Sequence, residues 1–388
     1  MSKIELCDIN SCTQCYACEA ACPKKCIIFK MAKGGFSLPD IDRKVCVECG
    51  ACMKACHQLN PTKTKQSPLK AYAAWSLDND VRTTSSSGGV FSEIARYVFE
   101  KEGIVVGAVM NEHLKVCHAF AYSMKELYAM RGSKYVQSNL TGVYAQVKDF
   151  LKAGRYVLFT GTPCQVGGLY SFLKTDYDNL LTCDLVCHGV PSQKSFDIYC
   201  EKIGLTRKEV AEVAFRYTKG WGLQMATRSH LVSLFRDGDY KWKNISPKES
   251  YYLRAFTGGL MFNEACYNCQ YATPERVSDI TLADYWGIGT MMPFNHPKQK
   301  GVSLLLANTG KGLEAVKGRS SLYVEERPLE EAVKGNHNLS QCSERPLGRD
   351  TYCEDAETMS FTELSRKYGL SPTYKDYLRP FKRILQSK

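Results

Sequence analysis

No uncharged run of about 18 apolar residues occurs in this chain of 388 residues, so no membrane-spanning helix is expected. No secretory signal is read at the start: MSKIELCDIN is polar and runs at once into cysteines, which points to a reducing, cytoplasmic location. No G-x-G-x-x-G follows a strand-like stretch, which excludes the usual dinucleotide-binding fingerprint. No lysine and arginine block is long enough to act as a nucleic-acid tail, and no nucleic-acid partner is expected despite a formal charge of +11. With 44% hydrophobic and 23% charged residues, the composition is that of a packed globular protein with room for two or three domains.

Cysteine is what the chain has in excess. There are nineteen, and ten lie before residue 57. The length, the missing signal and the i, i+3 spacings argue against a disulfide scaffold and for metal ligation. An internal repeat with an offset of 34 maps Cys12, Cys15, Cys18 and Cys22 onto Cys46, Cys49, Cys52 and Cys56. C-x2-C-x2-C-x3-C-P is the run of bacterial ferredoxins, in which three thiolates wrap one face of a [4Fe-4S] cubane and the fourth ligates the other cluster. On that pattern Cys12, Cys15, Cys18 and Cys56 hold one cluster, and Cys46, Cys49, Cys52 and Cys22 hold the other. Zinc, the alternative, usually takes two separated C-x2–4-C pairs. The second run ends in Cys56-His57 where such ferredoxins have proline, a position that ligates nothing. Cys7 and Cys26 fall outside the pattern and read as packed thiols.

The expected organisation is a two-cluster ferredoxin domain over 1–60, a Pro-, Lys- and Thr-rich linker over 61–69, a larger body, and a charged extension over 346–388. The fold class expected is α+β or mixed α/β, without a classical Rossmann fingerprint. In the body, GGVFSEIARYVFEKEG has helical periodicity, IVVGAVM reads as a buried strand and LTGVYAQVKDFLKAG as a second helix. RYVLFTGTP and NLLTCDLVCHG read as strands, SQKSFDIYCEKIG as a helix, GVSLLLANT as a late strand and GKGLEAVKG as the helix after it. The last 60 residues read as charged and loop-like with short helices.

Four stretches of the body carry candidate chemistry. TSSSGGVFSEIA sets serines and two glycines at a helix start, where free backbone N–H groups can hold a phosphate; an ordinary serine N-cap explains the same residues. In RGSKYVQSNL, Lys134 can pair with a phosphate or a reduced ring, and Tyr135 can stack on one. FTGTPCQVGGL and LVCHGVPS each stand at the end of a buried strand, where α/β sheets place ligands, and present Cys164 and Cys187. EACYNCQYATPERVSDITLADYWG carries the pair Cys266 and Cys269. Two strand-end cysteines and one C-x2-C pair make four thiolates, enough for a third cubane. Cys183 is a rival ligand, and half of a zinc site is the rival reading of the pair.

SSSGGVFS, GSKYVQS, GTPCQVGGL, CHGVPS and DITLADYWG, in that order between about Ala71 and residue 345, resemble the beta subunits of coenzyme F420-reducing hydrogenase and dehydrogenase. Plant 7-hydroxymethyl chlorophyll a reductase belongs to the same family. The resemblance implies FAD beside a [4Fe-4S] cluster, with 70–150 as the first part of the FAD domain and 151–345 as the part with the third cluster. It implies that Ser85, Ser86, Ser87, Gly88 and Gly89 line the FAD site. Ser133, Lys134, Tyr135 and Ser138 would approach the flavin, and Thr160, Gly161 and Thr162 would support it. Cys164, Cys187, Cys266 and Cys269 would hold the third cluster. Asp279, Asp284 and Trp286 match a family motif without an assigned role. Cys117, Cys200, Cys342 and Cys353 have no motif support and read as packed or surface thiols.

The function implied is a converter between one-electron and two-electron carriers. Electrons would pass between an electron-carrier protein or partner redox subunit, three [4Fe-4S] clusters and FAD. FAD would exchange a hydride with a conjugated small molecule such as coenzyme F420. Each cluster with its thiolates carries roughly −2, so three would remove about half of the formal excess; a mildly basic surface suits an acidic carrier. His188 and Lys134 are the candidates for catalytic groups, and a core or capping role is the plainer reading of His188. Donor, direction, substrate and oligomeric state, homo-oligomer included, stay open at this level. An electron-relay subunit without its own substrate, and a non-redox protein with structural clusters, are the rival classes.

Overall fold

The computed structural model describes residues 4–61, 66–206, 210–217, 223–229, 242–374 and 377. Part of the linker expected over 61–69 and the last part of the extension expected over 346–388 lie outside these residues.

The N-terminal module carries the sequence repeat into the backbone. Its two short helices, α1 (Ala17–Ala20) and α2 (Ala51–Lys54), each follow a cysteine loop, and a hairpin of β1 (Ile27–Met31) and β2 (Ser37–Ile41) lies between them. Gln14 and Glu48 are both left-handed, at φ 55° and 52°. Two residues on, so are Tyr16 and Gly50, at φ 65° and 70°. Both pairs are 34 positions apart, so the loops are two copies of one turn.

The body is built on an eight-stranded sheet. In chain order its strands are β3 (Lys70–Ser76), β4 (Ile104–Met110), β5 (Val116–Ala121), β6 (Val157–Thr160), β7 (Leu180–Leu185), β11 (Ile280–Asp284), β12 (Ser303–Ala307) and β13 (Leu322–Arg327). They lie side by side as β13-β3-β12-β11-β7-β6-β4-β5. The central four, β11, β7, β6 and β4, are parallel, and the outer strands join antiparallel. A parallel core is buried on both faces, which is why IVVGAVM and LLTCDL read as near-continuous apolar runs. β8 (Val210–Ala214), β9 (Ala226–Ser229) and β10 (Trp242–Asn244) form a smaller antiparallel sheet.

The helices expected from periodicity are present as α4 (Val90–Glu100), α6 (Val143–Lys152) and α8 (Gln193–Lys202), after a short α3 (Asn79–Thr83) and α5 (Met124–Leu127). α7 (Pro163–Leu173), which begins one residue before Cys164, connects β6 to its parallel neighbour β7. Beyond it come α9 (Tyr251–Thr257), α10 (Gly310–Val316), α11 (Leu329–Gly335), α12 (Arg349–Thr358) and α13 (Phe361–Lys367).

Strand β6 shows how the layers are assigned. Leu158 joins the core packed on α4, while Val157 and Phe159 face α6 and α7. Each such buried side chain contributes roughly 1.5–3 kcal/mol. The second of these cores also takes in Tyr16, Ala17 and Ala55 of the module. The module is therefore packed into the body, with its small alanines allowing α1 to lie close to α6 and α7. The Glu19 carboxylate reaches the backbone of Gly142 at the start of α6. At the hairpin turn, Ser192 Oγ donates to Gly34 O at 2.8 Å.

Candidate metal and cofactor centre

The two cysteine loops fold around two recesses. Cys12, Cys15, Cys18 and Cys56 line one, with Tyr16, Phe29 and His57 around them. Cys22, Cys46, Cys49 and Cys52 line the other, with Ile4, Ile27 and Val47. The crossing is explicit: Cys22 sits with the second triplet and Cys56 with the first. Cys7 and Cys26, expected as packed thiols apart from the pattern, turn out to line these recesses too. Cys26 Sγ lies 3.3 Å from Cys22 Sγ.

Burial, with smaller contributions from Cys56 and Cys164, pushes the Cys15 thiol up to about 12. A hydrogen bond with Cys7 and then burial push Cys56 up further. Thiols held this way keep their protons unless a cationic centre reverses the balance, which a bound metal core does. Among the described residues, no three His, Cys, Asp or Glu side chains converge as around a single metal ion. Four cysteines of the ferredoxin pattern line each recess, the soft donor set that a [4Fe-4S] cluster takes.

A third set comes from three separate places in the body. β6 and β7 run parallel and end side by side, delivering Cys164 just after one and Cys187 just after the other. Cys266 and Cys269 come from the 3-10 turn Glu264–Asn268 and the residue after it. Burial comes first, and then Cys187 and Cys269, in pushing Cys164 up to about 12. Cys266 is raised by burial and then by Cys187, Cys164 and Cys269, so all four share one neighbourhood. Cys183, the rival, belongs elsewhere: it is buried in the core packed on α4, beside Asp184 and Asp279. Cys342 lies close enough to Cys269 to raise it, and its Sγ donates to Tyr267 O at 3.0 Å.

Arg276, not anticipated from the sequence, braces this set. Only 2% exposed, it pairs with Asp184 Oδ1 at 3.1 Å and donates to Leu185 O, just before Cys187. It also donates to Tyr271 O and Thr273 O, just after Cys269. One guanidinium thus ties the two cysteine-bearing segments together with five donors in a fixed fork. The only sequence signal was a lone arginine before a strand.

The module's first recess abuts this set. Asn263 donates to Cys12 O at 3.1 Å. His57, 2% exposed, hydrogen-bonds Thr13 Oγ1 through Nε2 at 2.9 Å and the Tyr271 hydroxyl through Nδ1 at 2.9 Å. The position where such ferredoxins have proline thus carries a polar link to the segment after Cys269.

The serine–glycine loop precedes α4. Ser85 Oγ donates to Val81 O at 2.7 Å and Ser87 Oγ to Val302 O at 3.1 Å. Ser86 Oγ accepts from the Ser133 amide at 2.8 Å, tying this loop to the Lys134 segment. Gly89 is left-handed at φ 83°, and no side chain caps α4, so the serines are not its N-cap. The loop is packed down on the sheet: the Gly88 amide donates to Ser303 Oγ at 2.9 Å and the Ser92 amide to Gly89 O at 3.1 Å.

Lys134 donates to the carbonyls of Ala129, Arg131 and Gly132 at 2.9, 2.9 and 3.2 Å, and burial pulls its ammonium down to about 7. Tyr135 stacks on Phe256 with centroids 4.3 Å apart, beside the Arg216–Asp284 ion pair. Asp284 thereby gains a structural partner, and Asp279 accepts from the Thr182 and Thr309 hydroxyls. Ser138, Thr160 and Thr162 are joined by a hydrogen-bond chain that the sequence did not reveal. Gln165 Nε2 donates to Ser138 Oγ, Ser138 to His118 Nδ1, and His118 Nε2 to Thr160 O, at 3.0, 2.9 and 2.8 Å. Gln165 Oε1 accepts from the Thr162 amide at 2.9 Å, and Thr162 Oγ1 lies 3.1 Å from Cys164 Sγ. Gly161 leaves no room for a Cβ, which would lie 2.8 Å from Gln165 Oε1. His188 is half-buried: its ring lies against Phe256 and Phe262 and hydrogen-bonds Asn338 at 2.7 Å.

Residues 71–144 and 154–332 match the N-terminal and C-terminal models of coenzyme F420 hydrogenase/dehydrogenase, beta subunit, and the chain belongs to that family of redox subunits. Among curated proteins it is 26% identical to an uncharacterised protein of Methanocaldococcus jannaschii over 210 residues, 46% of this chain and 57% of the relative. It is 27% identical to one of the subunits of the F(420)H(2) dehydrogenase of Methanosarcina mazei over 165 residues, 40% of this chain and 46% of the relative. The chain thus spans about half the length of the curated relatives it matches. A solved structure of the F420-reducing [NiFe] hydrogenase complex from Methanosarcina barkeri aligns with 78% of this chain and 93% of its own, at 16% identity and a TM-score of 0.47. Among the described residues no helix is long and apolar enough to cross a membrane.

Proposed function

We propose that the chain is a flavin- and iron–sulfur-dependent oxidoreductase. It passes electrons between a one-electron donor such as ferredoxin and a conjugated small molecule such as coenzyme F420. The observation that carries this reading is the contact of Cys15, from the module, with α7, the helix that bears Cys164: the two share one core cluster with Cys269. Three thiol sets thus follow one another without a gap of unrelated structure.

When bound, clusters at these sets supply single-electron transfer, and FAD supplies the exchange between single electrons and hydride. The chain's own residues do the rest. The three sets of four cysteines, Cys12/Cys15/Cys18/Cys56, Cys46/Cys49/Cys52/Cys22 and Cys164/Cys187/Cys266/Cys269, hold the clusters. The loop Ser85, Ser86, Ser87, Gly88 and Gly89 would line the site of FAD. The linked Ser86–Ser133 loops fix one wall of its site. The Gln165–Ser138–His118–Thr160 chain fixes the strand end beside Cys164. Lys134, held on the carbonyls of Ala129, Arg131 and Gly132, stands next to Ser133 on the loop tied to Ser86.

Anaerobic reconstitution tests the reading: about twelve irons and about one FAD per chain are expected. Cys266→Ala should lower the iron content by about four and spare the rest; an unchanged content would sink the third set. A relay subunit without its own substrate is the second reading, because one curated relative is named as a subunit of a dehydrogenase. Oxidation of the reduced protein by a deazaflavin, with no other protein present, favours the enzyme over the relay.

A further inference from the structure

The two recesses of the module differ in what surrounds them. The Cys12/Cys15/Cys18/Cys56 recess is turned to the body: Cys12 O is held by Asn263, Cys15 lies on α7 and His57 reaches Tyr271. The Cys22/Cys46/Cys49/Cys52 recess is lined by module residues alone, and its apolar floor of Ile4, Cys26, Ile27 and Cys52 takes nothing from the body. Cys49 is exposed, and beside it Val47 is 56% and Val45 46% exposed. The pair sets apolar surface beside the loop that bears Cys46 and Cys49.

The charges around this mouth are uneven. Lys24 lines the recess, Lys25 follows it, and Arg43 donates to the backbone of Ile4, another lining residue. Lys44 precedes Val45, and all four cations are exposed. Against them stand Glu5, which follows the lining residue Ile4, Asp42 and Glu48; Asp40 is already paired with Lys30 at 2.7 Å. Four cations against three carboxylates leave the rim with a net positive charge around a small apolar centre.

We propose that this face, centred on Val45, Val47 and Cys49 and rimmed by Lys24, Lys25, Arg43 and Lys44, is the docking port for an acidic protein that carries single electrons. The proposal rests on the cluster reading above. In the reducing direction the carrier would lose one electron and a cluster held by Cys22, Cys46, Cys49 and Cys52 would gain it, with no bond formed and no proton moved. The apolar centre excludes water from the contact. The basic rim steers an acidic partner, an effect strong at low salt and screened beyond a Debye length of about 8 Å at physiological salt.

The test is binding of the full reconstituted chain to a strongly acidic plant-type ferredoxin, by calorimetry at about 20 and about 200 mM salt. Wild type should bind at low salt and weaken by roughly tenfold or more at high salt. The double variant Lys24→Glu, Lys44→Glu should weaken low-salt binding by roughly tenfold or more. The control Lys152→Glu, Lys317→Glu, on exposed helix ends of the body, should not. Equal binding by wild type and the rim variant, equal loss in the control, or no salt-sensitive binding at all would overturn the port. Iron content separates this from the underlying reading. A chain that reconstitutes its irons but ignores the rim charges refutes only the port, whereas a chain that takes up no iron refutes the cluster reading itself.

Discussion

Gly168 faces Cys15 across the boundary between module and body, so closely that a Cβ at 168 would lie 2.8 Å from Cys15 Cβ and 2.9 Å from its Sγ. The preceding Gly167 stands tighter still against the Tyr271 hydroxyl. Two adjacent glycines in the middle of α7 cost helix stability, and their return is this close approach.

Gly168→Ala decides between those two effects. In an ordinary helix interior the change stabilises by about 1 kcal/mol. Here overpacking against Cys15 costs about 1–3 kcal/mol. The expected result is a net loss in denaturant midpoint at unchanged m-value. A gain would mean that the module does not press on α7.

The His57–Tyr271 link is measurable as a coupling. His57→Phe and Tyr271→Phe should each destabilise by about 1 kcal/mol, because each removes a buried hydrogen bond while Gln270 Nε2, 3.3 Å from His57 Nδ1, remains beside the site. The double variant should lose less than the sum, by roughly 0.5 kcal/mol or more. Strict additivity in the double-mutant cycle would remove the link as a device joining module to body.

Arg276→Lys tests the brace on the third cysteine set. An ammonium cannot hold Asp184, Thr281 and three carbonyls at once, so a loss of about 2–4 kcal/mol is expected. Iron retention should fall by about four per chain while the module keeps its share. Full iron with only a stability change would confine Arg276 to holding the fold.

His118 gives the protein a pH dependence of known sign. Burial, with a smaller push from Lys134, pulls its imidazole down to about 4, and a backbone contact with Thr160 opposes this. Folded His118 is neutral, whereas in the unfolded chain it titrates near about 6.5. The unfolded state therefore binds the extra proton first as pH falls, and the stability present above about pH 6.5 is lost on the way down to about 4. Between about pH 7 and about pH 5 the advantage of wild type over His118→Gln should shrink by about 2 kcal/mol in denaturation midpoints. A constant gap would place the imidazole in water.

The two cysteine triplets were legible because their spacing is local in the chain; their crossed partners came from the ferredoxin pattern, and the third set of four from the family resemblance. Also legible were β4, β6, β7 and β12, whose apolar runs need no knowledge of their neighbours. Arg276, His118 and the β13-β3-β12 edge were not, since each depends on distant segments meeting in space or on a single unremarkable letter. His57 was noticed only as a missing proline. Its partner Tyr271 is 214 residues later, beyond any periodicity. Cys183 and Cys187 could not be ranked from spacing. The sheet ranks them: Cys183 lies inside β7 with its side chain in the core, and Cys187 comes after the strand has ended.

The left-handed slot before each module helix holds Tyr16 in one copy and Gly50 in the other. A tyrosine there carries backbone strain that glycine does not. In exchange Tyr16 stacks on Phe29, with centroids 3.9 Å apart, and roofs the recess that faces the body. At Gly50 an added Cβ would meet only Ile4 Cδ1, at 4.0 Å, and no ring covers its recess among the described residues. The two copies of a duplicated turn have therefore diverged at a single backbone position: one carries a ring that packs toward the body, the other carries no side chain at all.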